Sequence, residues 1–251
     1  MRNIQNALEK NNIAFSAIEN PRGRIIVYTE EKKSLNALRT VFGISSLSFA
    51  TKINPHIKDM KEETIHLYRE KARPNQTFRI SSQRLDKGFP LTSQEVNATV
   101  GAYIVEKENA QVDLDNPGLD IGIEILHHAA YVFTGRIPAY GGIPVGVQGK
   151  VLVCLKDKRS AVAAWMMLKR GCELVVHGNE DLLPYLERFS YGHPILHVST
   201  PKEAKGCLAA VLSDFQLKKK EIPSFYPLLG LNKQQIQEIE ALIFEEPLNR
   251  T

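Results

Sequence analysis

Residues 149–171 constrain the fold more than any other stretch. They read Gly149-Lys-Val-Leu-Val-Cys-Leu155, then Lys156-Asp157-Lys158-Arg159-Ser160, then Ala161-Val-Ala-Ala-Trp-Met-Met-Leu-Lys-Arg-Gly171. An apolar, β-branched run, a polar turn and a second apolar run of helical length predict strand, turn and helix. The alternation continues downstream, with strands at 173–177 and 194–198 and helices at about 180–188 and 201–215. Alternating elements of this kind predict a parallel sheet with helices on its faces. In such folds the turn after a strand is a common seat for a phosphate, and it is usually glycine-rich so that backbone N–H groups can approach the anion. The turn Lys156–Ser160 has no glycine and three cations. The scaffold of a phosphate site is therefore expected without its usual loop.

Two further compact units precede this one. Residues 2–11 suit a short helix, with Ile4, Ala7 and Leu8 on one face. Arg24–Thr29 is strand-like after the turn Asn20-Pro21-Arg22-Gly23. Ser34–Phe42 reads as a helix stopped by Gly43, and Ser46–Lys52 as a strand. The next unit has a helix at about 56–71 and a strand at Thr77–Ser82. A helix follows at Thr92–Glu106, with Glu95 in its first turn. Val112–Leu114 is a short strand ended by Asp115-Asn116-Pro117-Gly118. Asp120–Leu126 and Ala130–Thr134 form a hairpin around His127-His128. The Gly- and Pro-rich run Ile137–Gly149 reads as a connector, and Asn232–Phe244 as a last helix.

Composition bounds the function only loosely. The chain has 251 residues, 43% hydrophobic residues and a formal net charge of +4. No stretch approaches the roughly 18–20 apolar residues of a membrane span. The N-terminus lacks the apolar core of a signal peptide. Cys154, Cys172 and Cys207 are scattered and form no Cys-x-x-Cys pair, so a reducing, cytoplasmic setting is expected. The cations fall in groups: Arg73, Arg79, Arg84 and Lys87; Lys156, Lys158, Arg159, Lys169 and Arg170; and Lys218-Lys219-Lys220. Each group reads either as a solvated face or as phosphate contacts. His193 and His197, four residues apart in an extended segment, are about 13 Å apart and too far for one metal. No metal site is expected.

Further segments carry a resemblance. They are Phe42-Gly43-Ile44-Ser45-Ser46; Arg79 through Arg84-Leu-Asp-Lys87-Gly-Phe89-Pro90-Leu91-Thr92-Ser93; and Val112-Asp113-Leu114-Asp115-Asn116-Pro117. Tyr131-Val-Phe-Thr134 through Gly141-Gly-Ile-Pro-Val-Gly146 and Tyr226-Pro-Leu-Leu-Gly-Leu-Asn-Lys233 complete the set. Together and in this order they resemble the tRNA 4-thiouridine synthase family, the sulfurtransferases that carry a THUMP domain. The resemblance implies a ferredoxin-like N-terminal unit over 1–54 with its first strand missing. It implies a THUMP domain over 55–148 and a shortened, Rossmann-like ATP-pyrophosphatase domain over 149–251. It also implies tRNA as partner, gripped at the acceptor stem and 3′ end, with ATP activating a uridine for sulfur transfer.

The chain departs from that pattern at the chemistry. The family loop reads Ser-Gly-Gly-x-Asp-Ser. Here Lys156–Ser160 stands in its place, and Ser160 alone matches the closing serine. No paired cysteines are present. Lys and Arg side chains can hold a phosphate, but not with the convergent backbone donors that orient it for attack. The resemblance thus leads to a tRNA-binding protein without adenylation chemistry, catalytic residues or cofactor. Its alternative is a tRNA sulfurtransferase using ATP, active alone or completed by a partner chain. RNA contacts are expected at Arg79, Arg84, Lys87 and Arg136, and a phosphate contact, or only a charged surface loop, at Lys156, Lys158, Arg159 and Ser160. Phe89 is a base-stacking or core residue. Whether a second copy or a partner modification enzyme binds is left open.

Overall fold

The computed structural model describes residues 1–126, 128–214 and 222–245. His127, Lys218-Lys219-Lys220 and the end of the helix expected at 201–215 lie outside the described residues. In the N-terminal part, helix α1 spans Arg2–Lys10, strands β1 and β2 span Ala17–Glu19 and Ile26–Tyr28, and α2 spans Ser34–Arg39. Then come β3 (Ser46–Leu47), β4 (Ala50–Ile53), α3 (Ile57–Lys71), β5 (Phe78–Arg84) and α4 (Ser93–Glu108). Strands β6 (Leu119–Ile125), β7 (Ala130–Thr134), β8 (Ile137–Pro138) and β9 (Lys150–Leu155) lead into α5 (Lys158–Lys169). The remainder is β10 (Glu173–Gly178), α6 (Leu183–Glu187), β11 (Leu196–His197), β12 (Cys207–Val211), β13 (Ser224–Phe225) and α7 (Lys233–Phe244).

The chain forms two compact units. One comprises Glu19–Ile26 and Ser48–Ile137; the other comprises Met1–Ile18, Val27–Leu47 and Pro138–Thr251. The architecture combines a ferredoxin-like N-terminal unit, a THUMP-type α/β unit and a Rossmann-like parallel sheet.

The first unit is built on a sheet of order β4-β7-β6-β5. Strands β5 and β6 run parallel, and β7 is antiparallel to both β6 and β4. Period-two alternation gives this sheet two faces. Phe78, Ile80, Ile121, Ile123, Ile125 and Val132 are buried on one, packed with Met60, Val96, Val100 and Ile104 of α3 and α4. Helix α4 starts on a reciprocal cap in which the Thr92 hydroxyl accepts from the Glu95 N–H at 3.2 Å and Glu95 accepts from the Thr92 N–H at 2.7 Å. This is the sequence signature Thr-x-x-Glu realised. The opposite face is mostly polar but holds Phe133, whose ring lies over Gly122; any side chain at Gly122 would collide with it. Val112 meets Phe78 in a single bridge rather than in the short strand expected at Val112–Leu114.

The second unit has a five-stranded, all-parallel sheet of order β11-β10-β9-β12-β13, with β9 central. Helix α5 is buried almost all round, from Ala161 to Leu168, as a helix packed between layers must be. Trp165 stands edge-on to Phe42 at 5.2 Å and to Phe189 at 6.0 Å between ring centres. Phe42 thus brings the N-terminal segment into the core of this unit, and Ile4, Leu8, Leu38 and Tyr191 form a second cluster beside it.

One further expectation needs correction. The helix expected at 201–215 is instead a short 3-10 turn, Pro201–Glu203, followed by strand β12, which places Cys207 in a strand. Leu208-Ala-Ala-Val-Leu212 is continuously apolar, and periodicity does not separate a buried strand from a buried helix over so short a run. The Ile137–Gly149 run is held in place from Pro138 onward: the N–H groups of Gly146, Val147 and Gln148 all point at the Gly171 carbonyl, at 3.0, 3.1 and 3.0 Å. Gly142 takes a positive φ of 82° where a side chain would strike the Lys169 carbonyl, so glycine is required there.

Candidate nucleic-acid interface and the β9–α5 turn

The turn after β9 closes on itself. Asp157 caps α5, its carboxylate accepting from the Ser160 N–H at 2.8 Å. The Ser160 hydroxyl accepts from the N–H groups of Lys156 and Asp157, at 2.8 and 2.9 Å, and donates to the Asp157 carbonyl at 2.6 Å. Ser160 is buried. The amides of Lys156, Asp157 and Ser160 therefore have partners within the turn. Asp157 also puts a carboxylate where the helix dipole would favour a phosphate. Around it, Lys158 Nζ lies 3.7 Å from Glu240 and 5.2 Å from the Phe244 ring centre of α7. Arg159 Nε lies 3.2 Å from Asp214. Lys156 is exposed. Three of the turn's amides already taken, an anion in the phosphate position and no glycine fit a nucleoside triphosphate poorly at this turn.

The cations expected to touch RNA divide into two kinds. Arg79 is paired with Asp120 and donates to the Leu114 carbonyl at 2.7 Å, tying the 113–117 turn to the sheet. The Asp120 carboxylate, through its hydrogen bond first and its charge second, raises the Arg79 pKa further. Arg84 donates to the carbonyls of Phe89 and Leu91 at 2.9 and 3.2 Å and holds the loop before α4. Phe89 itself packs partly buried against the core. Lys87 and Arg136 are exposed.

Two further cations reach this surface from the N-terminal turn. Arg22, at a positive φ of 49°, donates to the Leu85 carbonyl at 2.6 Å and lies 3.5 Å from Asp86. Arg24 binds Glu124 at 2.9 Å and donates to Gln83 at 2.8 Å. Arg136 lies 3.5 Å from the other oxygen of Glu124 and 5.6 Å from the Phe133 ring centre. Glu124 pairs across the sheet with Gln83 and Tyr131, and Tyr131 with Lys52, in one row on the face away from the helices. Sequence reading missed Arg22 and Arg24 because nothing local marks them; only the fold brings them to this sheet.

The remaining candidates stay apart. His193 pairs with Glu173 at 2.9 Å and His197 with Glu180 at 3.0 Å. No group of three metal-ligating side chains occurs among the described residues. Burial raises the thiol pKa of Cys172 and of Cys207, with nearby Arg170 and Lys150 opposing it only in part. Among the described residues no helix is long and apolar enough to cross a membrane.

The THUMP domain family matches residues 55–134. A probable tRNA sulfurtransferase of Thermococcus kodakarensis is 38% identical over 181 residues, covering 70% of this chain and 48% of that protein. The chain thus carries a THUMP domain and is similar to the tRNA sulfurtransferases. A Thermotoga maritima member is 27% identical over 267 residues, covering 97% of this chain and 66% of its own. The chain thus spans about half the length of the first relative and two thirds of the second. The crystal structure of PH1313 from Pyrococcus horikoshii superposes with a TM-score of 0.88 at 30% identity, covering 96% of this chain and 91% of that one. A 4-thiouridine synthetase–RNA complex with bound ATP shares the fold at a TM-score of 0.78 and 23% identity, over 97% and 79% of the two chains.

Proposed function

We propose that this protein binds tRNA in the cytoplasm and does not itself adenylate it. The reading of RNA as ligand rests on the THUMP match over 55–134, on relatives named tRNA sulfurtransferase, and on the exposed cations Lys87 and Arg136. The single observation that carries the absence of adenylation is the β9–α5 turn, where Asp157 and Ser160 take the amides of Lys156, Asp157 and Ser160 and a carboxylate caps the helix. The modules 1–54, 55–148 and 149–251 divide the work: the first two hold the acceptor stem and 3′ end, and the third serves as scaffold or partner surface.

Binding of a tRNA transcript with a Kd in the micromolar range or below is expected. It should weaken on the order of 10- to 100-fold between about 50 and 200 mM salt, as a few neutralised phosphates require. No pyrophosphate should be released from ATP in the presence of tRNA. Release that depends on both would establish the alternative, an active sulfurtransferase, and overturn this reading.

A further inference from the structure

The outer face of the THUMP sheet holds a charge arrangement that ordinary ion pairing does not explain. Two guanidinium groups share one carboxylate. Arg24 Nε sits on one oxygen of Glu124 at 2.9 Å, and Arg136 Nη2 lies 3.5 Å from the other. The carboxylate side chain is 16% exposed, while the Arg24 and Arg136 side chains are 37% and 59% exposed. Both arginines are held from a second side: Arg24 by the Gln83 amide oxygen at 2.8 Å, and Arg136 by the Phe133 ring. That ring is seated over Gly122. The arginines reach the site from separate parts of the chain, the Asn20–Gly23 turn and the end of β7. The arrangement carries one net positive charge, and both arginines keep guanidinium N–H groups beyond those used in these contacts.

A carboxylate and a phosphate present similar pairs of oxygens to a guanidinium fork. Two forks brought together on one small anion are therefore already spaced for a second. We infer that Arg24 and Arg136, gathered by Glu124 as positioning residue, form a seat for one backbone phosphate of bound RNA. This rests on the RNA-binding reading above and adds its location and its organising group. Neighbouring Arg22 contributes less, because Asp86 faces it directly.

The test measures affinity for an unmodified tRNA transcript by fluorescence anisotropy over a salt series, with inorganic phosphate as a second ligand. R24Q and R136Q should each weaken tRNA binding about tenfold and lower the salt slope by about one. The double variant should be only slightly worse than either single one, because the remaining arginine is neutralised by Glu124. R24Q/E124Q, which restores the net charge, should recover part of the R24Q loss. K58Q, on the exposed start of α3, should bind as the unaltered protein does. Thermal melts followed by circular dichroism verify folding, and R136Q carries the test alone if R24Q is unstable.

If the unaltered protein binds no tRNA, the RNA reading falls and the seat with it. If it binds and R24Q and R136Q bind equally well, the seat alone falls. Fully additive losses without recovery in R24Q/E124Q would also overturn it. Inorganic phosphate competing with tRNA at micromolar concentration would assign the seat to a free anion instead.

Discussion

Among the described residues, two basic groups use their charges in opposite ways. At the β9–α5 turn, Lys158 and Arg159 are each matched to an acid from another element, Glu240 and Asp214. Three of the turn's amides are spent on Asp157 and Ser160. On the THUMP sheet, Arg24 and Arg136 divide one Glu124 between them, and Lys87 adds an exposed charge. Counting cations would rank the turn first. Counting cations against the acids that face them reverses the ranking. A surface can attract phosphate only with the charge and donors that its own fold leaves over.

Experiments can break this contrast at several strengths. The largest effect is expected at the closed turn. S160A removes the acceptor of two amides and should cost about 1–3 kcal/mol, read as a fall in Tm. D157A should cost about 1 kcal/mol through loss of the cap. If either variant is as stable as the parent, the turn is not held by its own side chains.

Next comes Arg84, whose cationic head serves two carbonyls. R84A should destabilise by on the order of 1–2 kcal/mol, because those carbonyls lose a charged donor. A drop in tRNA affinity without any loss of Tm would instead make Arg84 an RNA contact. Changing Lys156, Lys158 and Arg159 together to Ala should alter tRNA affinity less than about twofold, since two of the three are already paired. A tenfold loss would show that the turn, too, faces phosphate.

The smallest effect is a pH dependence. The Glu95 carboxyl is held below the usual carboxylate range, chiefly by the Thr92 N–H and then by the Thr92 hydroxyl. A depressed folded-state pKa adds stability that is present above the unfolded value of about 4.3 and is lost as the pH falls through the folded one. The Tm of E95Q should therefore fall less than that of the parent between about pH 5 and 3. Parallel curves would remove Glu95 from the cap.

Much of the architecture was legible because burial periodicity is local. The apolar strand–turn–helix at 149–171 became β9 and α5, and Thr92-x-x-Glu95 became a cap. The run Leu208–Leu212 was not legible, since an interior parallel strand reads as a near-continuous apolar run with no polar alternation. The site was less legible than the fold. Arg79 and Arg84 were visible as charges, but their carbonyl partners, Leu114, Phe89 and Leu91, are set by how the turns fold back. Arg22 and Arg24 lie on a turn that announces only itself.

The split composition of the parallel-sheet unit has a consequence in time. Its core joins Phe42 to Trp165 and Phe189, while residues 48–137 fold into the other unit. During synthesis, Phe42 leaves the ribosome long before Trp165 exists. At roughly 5–20 residues per second the wait is on the order of ten seconds. Helices α1 and α2 must spend it without Tyr191, which completes their own cluster. The THUMP unit, whose Ser48 hydroxyl and Gly135 carbonyl meet near its two ends at 2.7 Å, can close first. Sequence order and assembly order therefore differ: the chain begins one unit, finishes another, and only then returns to the first.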